Sequence, residues 1–133
     1  MATTEPPPTL DTNLVREFVA NAHGDLEAVR DALAGEPALV NAVWDWGGGD
    51  WESGLGAAAH MGRRDIAELL LGHGARLDVF AAAMLGEVEI VRAILTAHPE
   101  MASAKGPHGI PLRAHAEAGA NEARAVLELL DAL

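Results

Sequence analysis

The sequence predicts an all-α protein, a stack of about four helix-turn-helix repeats with eight helices in all. Three observations predict it. Half of the 133 residues are apolar but only 4% are aromatic, and there is no tyrosine, so alanine and leucine must build the core. Such residues favour closely packed helices, because alanine has the best helix propensity and lets backbones approach. Valine, isoleucine and threonine are sparse, which argues against an extended sheet. Third, a short segment recurs four times along the chain, and repeats of this size signal stacked supersecondary units.

Residues 1–11, with Pro6, Pro7 and Pro8 among polar residues, read as a disordered Pro-rich tail. Asp11 to Asn13 offer N-caps for a helix starting near Leu14. The recurring segments are HGDLEAV from His23, MGRRDIA from Met61, LGEVEIV from Leu85 and AGANEAR from Ala118. Each follows a short Ala-rich stretch, turns at a glycine and opens a second helix. Those glycines, Gly24, Gly62, Gly86 and Gly119, are separated by 38, 24 and 33 residues. In three of the second helices the apolar residues fall four, five, eight and nine positions after the glycine. Ala28, Val29, Ala32 and Leu33 are one such set, and Ile90, Val91, Ile94 and Leu95 another. That is the stripe of a helix buried on one face. The fourth helix departs, with Arg124 and Glu128 on the stripe, as suits a terminal repeat with a polar outer face.

Two stretches make the pattern specific. One runs Ser53-Gly54-Leu55-Gly56-Ala57-Ala58-Ala59-His60-Met61-Gly62, then Asp65 to Ala75 through Leu69-Leu70-Leu71-Gly72-His73-Gly74. The other runs Ile110-Pro111-Leu112-Arg113-Ala114-His115-Ala116-Glu117-Ala118-Gly119. Over residues 14–133 the chain resembles the ankyrin repeat family, whose period of 33 matches the last glycine spacing. The resemblance implies repeats at about 12–42, 43–77, 78–104 and 105–133, joined by short hairpin fingers. It also implies a recognition module that binds a partner protein or peptide through its concave face and fingers.

The departures from that pattern suggest a second reading. The first junction is long and holds all three tryptophans, in Val43-Trp44-Asp45-Trp46-Gly47-Gly48-Gly49-Asp50-Trp51-Glu52. The second is cut short, with Ala75 to Asp78 running straight into a helix at Val79, and the third carries Gly106-Pro107-His108-Gly109. Two long fingers flanking a missing one predict a recess floored by Phe80, Ala81, Met84 and Leu85. The tryptophans either plug the inter-repeat groove or form a ligand-facing wall. In the ligand reading a small-molecule-binding protein or small enzyme uses the recess between residues 44–52 and 106–109. Trp44, Trp46, Asp50, Trp51, His23, His60, Met61, Phe80, Met84, His108 and His115 then line it. His23 and His60 fall on positions that the ankyrin resemblance places on the concave face. If there is catalysis, His60 or His108 is the general base, Asp50 orients the imidazole and Arg113 stabilises charge. His115, in place of a small buried alanine, is either a hydrogen-bonded core residue or part of the site.

Composition narrows the partners. Nine basic against twenty acidic residues give a formal charge of −11, which repels nucleic acid and anionic lipid. There is no cysteine, hence no disulfide framework and no thiolate chemistry. Residues 1–10 show no signal-peptide pattern, and the apolar run from Val79 to Leu85 is too short to span a membrane. A cytoplasmic protein, monomer or homodimer, without cofactor is expected. His60, His108, His115, Asp45, Asp50 and Glu52 are all potential ligands, but none falls in a local HExxH- or CxxC-type spacing, so no metal is expected.

Overall fold

In the computed structural model, which describes residues 5–133, the described residues are mostly helical, with one two-stranded hairpin. The helices come in pairs. The first helices are α1 (Thr12–Asn21), α3 (Gly54–His60), α5 (Val79–Leu85) and α7 (Leu112–Ala118). Each is followed by its second helix: α2 (Leu26–Gly35), α4 (Arg64–Gly72), α6 (Val88–Ala97) and α8 (Arg124–Asp131). Local chemistry sets the starts. The side chains of Asp25, Ser53 and Asp78 accept the N–H groups of Ala28, Gly56 and Ala81 at 3.0, 2.9 and 2.9 Å. These bonds satisfy donors that the first turn of a helix leaves open.

Each first helix packs on the next, α1 on α3, α3 on α5 and α5 on α7, with its own partner behind it. Alanine and glycine make this closeness possible. A methyl group at Gly54 would stand 2.9 Å from the Phe18 ring, and one at Gly119 would stand 2.1 Å from the Met84 carbonyl oxygen. Two hydrophobic cores result, and α5 belongs to both: Ala81, Met84 and Leu85 join the N-terminal core, Val79, Ala82 and Ala83 the C-terminal one. Leu10, in the segment read as tail, already packs on the N-terminal core; residues 1–4 of that segment lie outside the described residues.

The first finger is a hairpin of β1 (Val43–Asp45) and β2 (Trp51–Ser53), antiparallel, with Trp44 opposite Glu52 and Asp45 opposite Trp51. Opposed residues share a face. Trp44 therefore packs on the N-terminal core beside a buried Glu52, whereas Val43 and Trp51 are exposed. The turn between the strands holds Gly47, Gly48 and Gly49, all with positive φ, and the Asp45 carboxylate accepts the N–H groups of Gly47 and Gly49. The second finger is pinched by a bridge between Lys105 and Pro111 and turns through Pro107–Gly109. Ala75–Asp78 runs directly into α5 without a finger.

The predicted recess over α5 is closed. Met84 is 1% exposed and belongs to the core, so it cannot floor a ligand site. Phe80 is half-buried, with its ring 4.8 Å from that of His115. The two fingers meet each other instead of standing apart.

Backbone contact between successive helix pairs makes one glycine decisive. Gly86 has φ 77°, and a Cβ there would lie 2.0 Å from the Glu122 carbonyl oxygen. Gly86→Ala should therefore cost roughly 2 kcal/mol or more, from left-handed strain plus overpacking. Gly72→Ala, with open space around it, should stay within about 0.5 kcal/mol of the parent. Urea melts of the two variants check this, and similar losses would refute the close packing of Gly86.

Candidate functional site

Where the fingers meet, one carboxylate is surrounded. Glu52 is 1% exposed, the sole acidic side chain among the described residues that is fully buried. Its Oε1 lies 3.1 Å from His23 Nε2 and accepts the Trp46 indole N–H at 2.8 Å. Its Oε2 lies 3.0 Å from His60 Nε2 and 3.2 Å from His108 Nε2. Neither approach is aligned as a hydrogen bond, so Oε2 and His60 Nε2 are buried without a hydrogen-bond partner. One ligating atom from each of His23, Glu52, His60 and His108 falls in a group no more than 4.8 Å across.

Four chain segments deliver these groups. His23 follows the end of α1, His60 ends α3, and His108 sits at the tip of the second finger. Glu52 and Trp46 come from the first finger, whose register turns Glu52 inward and Trp51 outward. The ring centroids of His23 and His60 are 5.0 Å apart, those of His60 and His108 5.3 Å, and Trp46 stands 6.2 Å from His23 and 6.3 Å from His108.

The outer nitrogens of two imidazoles are held as well. His23 Nδ1 lies 3.0 Å from both the Val19 and Ala20 carbonyl oxygens, so it must carry the proton and donate it. His108 Nδ1 donates to Asp50 Oδ2 at 2.7 Å, and the His108 backbone N–H donates to Asp50 Oδ1 at 2.7 Å. This pair of hydrogen bonds holds His108 at φ 61°, a left-handed conformation uncommon for a residue other than glycine. With Nδ1 protonated, a neutral imidazole turns the bare lone pair of Nε2 towards a carboxylate. That arrangement is repulsive unless a second proton or another cation lies between them.

Electrostatics favours an ionised Glu52 and a charged His108. Burial opposes ionisation of Glu52, but His60 and Trp46, with the charges of His23 and His108, outweigh it and lower the carboxyl below its usual range. Desolvation opposes charging of His108, yet its bond to Asp50 and the charges of Glu52 and Asp50 raise its pKa. Asp50 is lowered chiefly by the His108 backbone N–H.

Of the residues singled out from sequence, His23, Trp46, Asp50, His60 and His108 come together. The others do not. Trp44 packs on the core, and Trp51 is 58% exposed on the outer side of the hairpin. Met61 is exposed at the end of α3. Arg113 is paired with Asp131. His115 is buried, its ring tilted against that of Phe80, with Nδ1 bonded to the Pro111 carbonyl. Glu52, the centre of the cluster, stands out in the sequence only as one of several acids. The alternation in Trp51-Glu52-Ser53, anchored by the Ser53 cap, is the signal that turns it inward. The expectation of no metal rested on local spacing, which is blind to ligands gathered from distant segments.

His115 offers a test of the buried helix face beside the cluster. Burial lowers its pKa from 6.5, so the unfolded chain binds a proton there at pH values where the folded chain does not. Its contribution to stability is therefore full above about pH 6.5 and is lost as pH falls towards the folded value. His115→Gln should flatten that part of the dependence in urea melts between about pH 5.5 and 7.5. An unchanged slope would place the neutral imidazole elsewhere.

No family model, no curated protein and no solved structure matches the chain.

Proposed function

We propose that this chain is a metal-binding domain on an ankyrin-type repeat scaffold, in which His23, Glu52, His60 and His108 hold one divalent transition-metal ion. The observation that carries the reading is the orphaned Oε2 of buried Glu52, facing the Nε2 atoms of His60 and His108 at 3.0 and 3.2 Å. A cation between these atoms satisfies the carboxylate and the lone pairs at once.

The donor set suits a divalent first-row ion such as zinc: three imidazoles are borderline donors, the carboxylate is a hard one, and the cluster has no thiolate to select softer metals. The outer bonds of His23 to carbonyls and of His108 to Asp50 fit the second-layer pattern of metal-bound histidine. They fix the tautomer that leaves Nε2 free. Partner-protein recognition through open fingers has less support, because Asp50 and His108 bind the two fingers to each other.

Isothermal titration of metal-stripped protein with Zn²⁺ should show one ion per chain. Glu52→Gln and His60→Ala should bind at least about tenfold more weakly, while Met61→Ala, outside the cluster, should match the parent. Zn²⁺ at a hundred times its Kd should raise folding stability by about 2.7 kcal/mol, reversed by chelator. Absence of stoichiometric binding, or equal binding by all variants, would sink the proposal.

A further inference from the structure

The cluster is buried on one side only. Glu52 forms its floor and has no side-chain exposure, whereas the side chains of His23 and His108 keep 26% and 33% of theirs and His60 keeps 11%. The two more exposed imidazoles are the two flanked by Trp46, at 6.2 and 6.3 Å. Trp46 is itself 39% exposed, although its N–H is pinned to Glu52. His23 and His108 therefore form the solvent-exposed side of the cluster, with an indole beside them.

Resting on the metal reading, we infer that the ion keeps a coordination position open on this side and that the position takes a small organic monocarboxylate. A closed four-ligand site serves structure; with His23, Glu52, His60 and His108 already ligating, the open position here is a fifth one, which takes water or an exogenous ligand. A divalent ion with the single Glu52 charge and neutral imidazoles retains one net positive charge, which one carboxylate neutralises. The formal charge of −11 on the chain opposes ligands of higher negative charge such as phosphate. The exposed indole offers an apolar face to the organic part of the ligand.

The test uses Co²⁺ as a spectroscopic probe in the full chain. Its visible bands should appear on binding and then change saturably with acetate and with benzoate, at ionic strength held constant with perchlorate. Benzoate should bind more tightly than acetate. Trp46→Phe and Trp46→Leu both lose the indole N–H, but only the leucine variant loses the ring. The leucine variant should therefore lose benzoate affinity relative to the phenylalanine variant, by up to about tenfold, while acetate binding differs little between them. Intense four-coordinate Co²⁺ bands that ignore both carboxylates would overturn the open position and leave the metal reading standing. No Co²⁺ bands at all would remove both. Equal benzoate affinity in the two Trp46 variants would refute the indole as part of the ligand site.

Discussion

The organisation of the N-terminal half depends on the burial of one charge, the Glu52 carboxylate. An ionised carboxylate taken out of water costs several kcal/mol unless positive charge and hydrogen bonds replace the solvent. No lysine or arginine does this. The Trp46 N–H donates to Oε1, and three imidazoles, from just after α1, the end of α3 and the second finger, gather around the carboxylate, where a proton or another cation between them supplies the positive charge. A carboxylate served by groups from four segments couples the packing of those segments, so the site and the stack are parts of one construction.

The fingers show how that coupling is made. Asp50 takes both the backbone N–H and the Nδ1 proton of His108 across 58 positions of sequence. The left-handed backbone at His108 costs on the order of 1–2 kcal/mol, which charge-assisted bonds of this kind can offset. The shortened second junction leaves room for the contact. Pro107 lies over Gly56 of α3, where a methyl group would be only 3.4 Å from the proline ring. A projecting finger between the two would compete for that space. The short Ala75–Asp78 junction thus lets the two fingers meet, where the sequence alone suggests a gap between them.

The small residues of the first helices serve the same end. Ala57, Ala58 and Ala59 of α3 and Ala81, Ala82 and Ala83 of α5 are wholly buried, which brings successive backbones close and carries His60 under the finger tips. Close packing of this kind restrains the histidines through the backbone as well as through their hydrogen bonds. Restraint from both sides suits a site in which displacement of a single nitrogen would weaken the whole constellation.

The sequence by itself determined the helix pairs, because their signals are local. Ser53 and Asp78 cap the helices that follow them, and the apolar stripe from Ile90 to Leu95 has helical spacing. The Ala75–Asp78 junction is too short for a finger. His23, Trp46, Asp50, His60 and His108 were legible as candidates by residue type and by their positions in fingers and helix ends. Only the tertiary structure decided which of them act together. It moved Met84 and His115 into the core and Trp51 to the surface, paired Arg113 with Asp131, and placed Glu52 at the centre. The physical reason is the range of the interactions involved. Capping and helical periodicity act over a few residues, but the cluster unites positions 23, 52, 60 and 108 through strand register, finger contact and helix packing, none of which is expressed in local spacing.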